Sequence, residues 1–189
     1  DFSRLVGLYR EARIPPYTEL IMGLPGETYE SFADGLTTIL EAGQHDGINI
    51  YLCAVLPNAE MGDPEYQRAH GIRYIRSPIL QQHSTPGEDP IKEWEDIVVE
   101  TATMPPRDWE RVYVLSWAIQ VFHTMGLTQD IAIHLHDKHG LSYRRFYEGL
   151  LDFAKVPGTA LHDVYGEARD RLSLALEGGE WGAVDLRFG

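Results

Sequence analysis

The chain contains a single cysteine, Cys53, among its 189 residues. One thiol cannot form an internal disulfide, and it cannot supply the several thiolates that hold a zinc ribbon or an iron–sulfur cluster. We therefore expect no such metal centre within this chain. Any cluster that its function needs must be held by residues outside it.

Long apolar stretches are also missing from the sequence. No run of about 18 apolar residues is present, which argues against a membrane-spanning helix. The first residues, from Asp1 to Arg4, do not carry the basic and apolar segments of a secretory signal. We expect a cytoplasmic protein with no membrane partner.

Basic side chains are scarce. Lysine and arginine number 16 against 29 aspartates and glutamates, which gives a formal charge of −13, and both halves of the chain are acidic. A bulk basic surface for DNA or RNA is therefore missing, and a nucleic-acid partner is not expected. With 43% hydrophobic residues, the composition is that of an ordinary globular chain of one or two domains.

Helix and strand signals alternate over the first 56 residues. Apolar residues at helical spacing predict a helix over 3–13, which the prolines at 15 and 16 end. A β-compatible run predicts a strand over 17–22, and a turn rich in glycine and proline separates it from a helix capped by Thr28. The segment from Ile48 to Leu56 is apolar at almost every position, which is typical of a parallel strand covered on both faces.

Two parallel strands with their helices are only part of an α/β domain. Alone they cannot bury both faces of the sheet or satisfy both of its edges. We expect either that the chain begins in the middle of a larger domain or that its open edge pairs with another copy.

The remainder of the chain is predicted to be loop and then helix. Residues 57–93 are predicted to form a long ordered loop with a short helix over 65–70, and residues 95–104 a further strand. Apolar spacing and capping residues predict helices over 105–178. Their predicted starts are Pro105–Pro106, Thr128 and Ser142, with Gly140 between the second and third, and a last helix carries Leu161 to Leu176.

A resemblance enters at the segment from Glu19 to Phe32, which reads ELIMGLPGETYESF. It resembles the strand-to-helix segment of radical S-adenosylmethionine (radical SAM) enzymes, many of which carry an I-x-G-L-P-G-E-T turn on the fifth strand of a partial six-stranded (β/α) barrel. By the same resemblance, Ile48 to Leu56 is the sixth strand. Asn58 and Ala59 then stand where the family often has Gly-Thr in a Pro-Gly-Thr turn.

A second resemblance covers Ile97 to Met104, the pair Asp108–Trp109 and the helices after them. This region is similar to the C-terminal extension of radical SAM enzymes that carry an N-terminal cobalamin-binding domain. The fold class implied is α/β: a fragment of a partial (β/α)6 radical SAM barrel over 1–75, a linker that can hold a strand over 76–104, and a mainly α-helical C-terminal subdomain over 105–189.

The resemblance also implies a cofactor site on the first strand. Side chains alternate along a strand, so Glu19, Ile21 and Gly23 are predicted to share one face. On that face the carboxylate can accept hydrogen bonds from ribose hydroxyls, Ile21 can press on adenine, and Gly23 lets the ligand approach the backbone. The alternative for Glu19 is a carboxylate at a strand start that reaches solvent or an arginine.

The second strand is predicted to contribute to the same site. Val55 or Leu56 is expected near the adenine. The residues predicted to face the barrel lumen are Asn49, Tyr51, Cys53 and Val55. For Cys53 the commoner alternative is a small residue of the core.

The family signature CxxxCxxC, whose thiolates hold a [4Fe–4S] cluster, is absent. We therefore interpret the chain as a C-terminal fragment of a radical SAM iron–sulfur enzyme that reductively cleaves S-adenosylmethionine (SAM), and expect the fragment alone to be inactive and to bind no cofactor. The parent protein is expected to use SAM, [4Fe–4S] and, by the second resemblance, cobalamin. The expected partners are the missing N-terminal half and a small-molecule substrate, and the alternative is a non-catalytic helical protein-interaction module.

Several histidines are candidate metal ligands. His134, His136 and His139 lie near Asp137, but on a helix only His136 and His139 can share a face. A solvated helix end is the favoured interpretation, and no metal site is predicted. His83 and His123 have no partner at ligand spacing.

Overall fold

The computed structural model describes residues 2–78 and 93–178. The helices are α1 (Phe2–Glu11), α2 (Tyr29–Glu41), α3 (Pro64–His70), α4 (Pro106–Ala118), α5 (Gln129–His139), α6 (Tyr143–Ala154) and α7 (Ala160–Leu176). The strands are β1 (Thr18–Met22), β2 (Ile48–Leu52), β3 (Ala54–Val55), β4 (Arg73–Pro78) and β5 (Trp94–Glu100). A 3-10 turn spans Glu60–Gly62, and a π-helical segment, Ile119–Thr124, continues α4. The mixed α/β class predicted from the sequence is confirmed.

The start of α2 follows the predicted capping chemistry. The Thr28 hydroxyl oxygen accepts a hydrogen bond from Ser31 N at 3.1 Å, and Ser31 Oγ accepts one from Thr28 N at 2.9 Å. This reciprocal pair satisfies two backbone donors that a helix start leaves open. The helix then buries one apolar stripe formed by Phe32, Leu36 and Leu40.

The strands form two sheets that are joined through the second predicted strand. β1 and β2 pair in parallel, from Thr18 opposite Ile48 to Met22 opposite Leu52. β5 lies between β3 and β4 and is antiparallel to both. Cys53 connects the sheets, because its N–H donates to Met22 O at 3.1 Å and its carbonyl accepts from Val98 N at 2.8 Å. The single strand predicted over Ile48 to Leu56 is therefore two short strands in different sheets.

The region predicted as a long loop contains a strand. β4 pairs with β5 in a ladder from Arg73 opposite Glu100 to Pro78 opposite Trp94, so the prediction was wrong for residues 73–78. The short helix predicted over 65–70 is confirmed as α3. The rest of the predicted loop, residues 79–92, lies outside the described residues. The strand predicted over 95–104 ends at Glu100, and a turn with a single bridge between Thr101 and Met104 follows it.

The C-terminal helices agree with their predicted starts, with two differences. Ser142 caps α6 by accepting from Arg145 N at 3.3 Å, and Gly140 ends α5 in the left-handed conformation. Thr128 precedes α5 without capping it, because its hydroxyl donates back to Phe122 O at 3.1 Å. The helix predicted to start at Pro105–Pro106 leaves α-geometry at Ile119 and becomes the π-helical segment.

One hydrophobic core joins the N-terminal and C-terminal elements. Met22, Leu36, Val99, Trp109 and Tyr147 belong to the same buried cluster although they lie on a strand of each sheet and on three helices. The domain boundaries predicted at 75 and 105 stay a prediction. No helix within the described ranges is both long enough and apolar enough to cross a membrane.

A matched pair of glycines tests how tightly the first turn packs on this core. Gly23 and Gly26 both have a φ of +88°, but a Cβ at Gly23 would lie 3.1 Å from Trp109 Nε1, whereas a Cβ at Gly26 would have no neighbour within 4 Å. We expect Gly26→Ala to cost about 1 kcal/mol for its backbone conformation. Gly23→Ala should cost about 1–3 kcal/mol more because the new methyl group presses on Trp109.

Urea unfolding of the two variants measures the difference. Equal free energies of unfolding for Gly23→Ala and Gly26→Ala would contradict the close packing of Trp109 beneath the turn.

Candidate functional site

The candidate site is the exposed face of the parallel pair β1–β2. Along β1, Met22 is 1% exposed and faces the core, whereas Ile21 is 49% exposed on the opposite face together with Glu19. The register places Ile21 beside Tyr51 of β2, which is 44% exposed. The predicted alternation of side chains along β1 is therefore confirmed for Glu19 and Ile21.

A hydrogen bond crosses this face. The Tyr51 hydroxyl donates to Glu19 Oε1 at 3.3 Å. Partial removal of water, and then the negative charge of Glu19, raise the pKa of Tyr51, which favours the phenol as the donor of this hydrogen bond. The face thus presents a carboxylate, a phenol and an aliphatic side chain to solvent, a combination that suits a ligand with both polar and flat apolar parts.

Gly23 does not continue this face. Its positive φ turns the chain at the end of β1, and the place of its missing side chain is taken by Trp109 of α4. Its N–H donates to Glu27 Oε2 at 3.2 Å, and Thr103 Oγ1 donates to Glu27 O at 2.7 Å. The prediction that Gly23 shares a face with Glu19 and Ile21 was wrong because residue 23 has left the extended conformation.

The partly buried carboxylate of Glu27 stabilises the turn by accepting from the backbone of Gly23. Burial raises the pKa of its carboxyl group, opposed by hydrogen bonds from the backbone of Gly23 and Leu24. The hydrogen bond from Gly23 N to the Glu27 carboxylate fixes the turn to the end of β1. The bond from Thr103 Oγ1 to Glu27 O fixes it to the Thr101–Met104 turn after β5.

Val55 and Leu56 follow Cys53, where the chain passes from one sheet to the other, and they differ in exposure. Val55 is 9% exposed and packs with Cys53 and Val98 in a small second cluster, whereas Leu56 is 63% exposed. Cys53 and Val55 are thus buried, while Tyr51 is exposed, because the chain changes sheets between them. Whether Val55 or Leu56 contacts a ligand stays a prediction.

Cys53 has the environment of a core residue. This agrees with the alternative predicted for it from the sequence, a small residue of the core. It is 3% exposed, and its Sγ lies 3.6 Å from Met61 Sδ. Burial, and then the nearby Glu27 carboxylate, raises the pKa of the thiol to about 11. Such a thiol stays protonated at neutral pH and is a poor metal ligand.

The histidine-rich end of α5 forms no metal centre. No group of three or more histidine, cysteine or acidic side chains suited to a metal occurs within residues 2–78 and 93–178. His136 stacks on Tyr143 with ring centres 4.6 Å apart, and its Nδ1 lies 3.2 Å from Leu141 O. His83 lies outside the described residues.

His123 has a role that sequence spacing did not reveal. It is 0% exposed, its Nε2 lies 3.1 Å from His45 Nδ1, and its Nδ1 lies 2.6 Å from the Tyr147 hydroxyl. Gln129 Nε2 donates to His45 O at 2.7 Å and so fixes the same loop. The prediction for His123 concerned only partners at the spacing of metal ligands, and this hydrogen-bond partner lies 78 residues earlier in the chain.

The surroundings of the two imidazoles disfavour their charged forms. Burial, and then the neighbouring His45, lowers the pKa of His123 to about 4. Burial also lowers the pKa of His45; Arg10 and His136 act in the same direction, whereas Asp46 and Asp137 oppose it. A proton on either ring would place a charge in a site that has no buried carboxylate bonded to it.

A polar groove of about 610 Å³ lies between α4, α6 and α7. Its lining includes five cationic side chains, Arg107, Arg111, Arg144, Lys155 and Arg169, and three acidic ones, Glu110, Glu148 and Asp152. Most of these charges are paired within the protein: Arg144 bonds Glu30, Asp34 and Glu148, and Arg169 bonds Glu110. The ion pairs of Arg144 along this groove connect α6 to the first half of α2.

The sequence of the chain is similar to those of known proteins. No family model matches the chain. The chain is nevertheless similar to radical SAM methyltransferases, and the resemblance to radical SAM enzymes predicted from Glu19 to Phe32 is confirmed.

Two relatives carry this similarity. One is the cobalamin-dependent radical SAM methyltransferase TokK of Streptomyces tokunonensis, 36% identical over 167 residues. The other is the 2-(S-pantetheinyl)-carbapenam-3-carboxylate methyltransferase of Streptantibioticus cattleyicolor, 34% identical over 167 residues. Each alignment covers 87% of this chain but 24% of the relative, so the chain spans about a quarter of the length of these enzymes.

The histidine pair predicts a pH-dependent stability. Because both folded pKa values are lowered from 6.5, the unfolded chain binds protons that the folded chain does not. The contribution is fully present above about pH 6.5 and is lost as the pH falls toward about 4, by about 1.4 kcal/mol for each unit of pKa difference.

Urea unfolding between about pH 7 and about pH 5.5 measures this slope before most carboxylates titrate. We expect His123→Gln to be less stable at neutral pH but to have a flatter pH dependence. His134→Gln, which changes an exposed histidine of α5, should keep the wild-type slope. An unchanged slope in His123→Gln would contradict the assignment.

Proposed function

We propose that the chain is the C-terminal part of a cobalamin-dependent radical SAM methyltransferase and supplies the last two strands of its partial (β/α)6 barrel together with a helical extension. The observation that carries the proposal is the open face of β1–β2, where Glu19, Ile21 and Tyr51 are exposed side by side. A sheet face of this composition is the inner wall of an enclosure whose other wall lies in the rest of the protein.

The open face suits the adenosyl part of SAM. The Glu19 carboxylate can accept hydrogen bonds from two ribose hydroxyls, and its present donor, Tyr51 Oη, is a single hydroxyl at 3.3 Å that a ligand can replace. Ile21 offers an apolar surface beside it for the adenine ring. Leu56, which is exposed directly after β3, is a further candidate for contact with adenine. Val55, the buried residue before it, would support Leu56 from the core side.

The residues of this chain do not fit an iron–sulfur cluster. Its one cysteine is buried and carries a raised pKa, and three thiolates are needed. In this proposal the cluster and the cobalamin are bound by the missing N-terminal part, which is also the principal partner of the chain. No residue here is assigned to cobalamin.

The share of this chain in the reaction is then binding and exclusion of water. When bound in the whole protein, SAM, the cluster and cobalamin would supply the radical and methyl-transfer chemistry. Glu19 and Ile21 would orient its adenosyl group, and the wall formed by β1 and β2 would keep water from one side of it. The methyl acceptor is proposed to be a small molecule, as the name of the carbapenam carboxylate methyltransferase indicates for that relative.

Cluster assembly tests the division between the two parts. We expect anaerobic iron and sulfide reconstitution of this 189-residue polypeptide to leave it without cluster absorbance, because one buried thiol cannot hold a cluster. The full-length protein, treated identically, should develop that absorbance. A stable cluster bound by the isolated polypeptide through Cys53 would overturn this part of the proposal.

The role of Glu19 is tested in the full-length protein by equilibrium binding of radiolabelled SAM. Glu19→Ala should weaken binding at least about tenfold, since it removes charge-assisted hydrogen bonds worth about 1.5–3 kcal/mol. Glu41→Ala removes an exposed carboxylate at the end of α2 and should bind as wild type does. Equal affinities of Glu19→Ala and wild type would exclude this face as the adenosyl site.

A further inference from the structure

The direction of the backbone groups shows which edges of the parallel pair are open. Thr18 N donates to Gly47 O at 2.8 Å, and Met22 O accepts from Cys53 N at 3.1 Å. Because these groups alternate along a strand, Thr18, Leu20 and Met22 bond toward β2. The same alternation directs the backbone groups of Ile48, Ile50 and Leu52 away from β1, to the outer edge of β2.

The outer edge of β2 is occupied by a side chain. Ile50 N donates to Gln120 Oε1 at 3.1 Å, and Gln120 Nε2 in turn donates to Ser116 O at 3.4 Å. Ile48, the preceding residue on this edge, is 0% exposed. A strand would have to lie about 4.8 Å from β2 to pair with it, and the π-helical segment fills that space.

The π-helical geometry brings one side chain to β2 and another to the loop just before β2. Met125 N donates to Gln120 O, five residues earlier, at 3.2 Å, so the turn is one residue wider than in an α-helix. From this wide turn Gln120 reaches the middle of β2, and His123 reaches His45 just before β2. Val121 and Phe122 between them are buried in the core.

We propose that Gln120 is a positioning residue that ends the sheet at β2: its amide takes the place of a neighbouring strand at Ile50 and holds β2 in register. Asn49 and Tyr51 flank Ile50 and carry side chains on the opposite side of the pleat, toward Glu19 and Ile21. Gln120 therefore fixes the strand that supplies half of the candidate site. The inference depends on the contacts of Gln120 and stands whether or not the proposed function is correct.

The test is amide hydrogen exchange of the isotope-labelled polypeptide followed by NMR. In Gln120→Ala the Ile50 amide loses its acceptor, and we expect it to exchange at least about tenfold faster than in wild type. The amides of Asn49 and Tyr51, which point toward β1, should change much less. General loss of stability would accelerate all three together, so the difference between Ile50 and its neighbours is the diagnostic result.

Two further variants make the test specific. Gln120→Glu keeps an acceptor oxygen at the same distance along the side chain but cannot donate to Ser116 O. Its Ile50 amide should therefore exchange more slowly than in Gln120→Ala and faster than in wild type. Gln67→Ala removes a comparable side-chain hydrogen bond, from Gln67 Nε2 to Met61 O at 3.0 Å, that involves no residue of β2, and should leave Ile50 unchanged.

Two outcomes would overturn the proposal. One is uniform acceleration of all three amides in Gln120→Ala, and the other is fast exchange of the Ile50 amide already in wild type.

Discussion

A two-stranded parallel sheet needs other elements to cover it, and in this chain the cover is one-sided. Met22 and Ile48 face a core built from α2, α4 and the π-helical segment, and Gln120 satisfies the outer edge of β2 at Ile50. The face with Glu19 and Ile21 receives no such layer within the described residues. This asymmetry is consistent with the proposed role of the face as a wall of a larger enclosure, because a ligand can lie on the side left open.

The elements that sequence reasoning predicted well are those specified by neighbouring residues. The strand, turn and helix from Thr18 to Glu41 depend on local alternation, a glycine with positive φ and a capping box, all within a few positions. The face of Glu19 and Ile21 follows from the same alternation. β4 was missed because its residues are largely exposed and its ladder is formed with β5, beyond a long connection.

The candidate site was less predictable where the chain leaves regular geometry. Gly23 was assigned to the face of Glu19, but its positive φ turns it toward Trp109, a contact 86 positions away in sequence that no periodic pattern encodes. The strand predicted to continue to Leu56 changes sheets at Cys53, so Val55 is buried while Tyr51 is exposed. The widened turn at Gln120 likewise has no periodic signal, because the apolar spacing of α4 continues across it.

The π-helical segment links the stability of the helices to the geometry of the candidate site. Gln120 and His123 hold the middle and the approach of β2, so both must keep their hydrogen bonds for the strand to stay in place. Their chemistry differs, since an amide does not titrate and an imidazole does. Acid therefore acts on the His45–His123 contact, just before β2, and leaves the Gln120 contact at the middle of the strand without a titrating group.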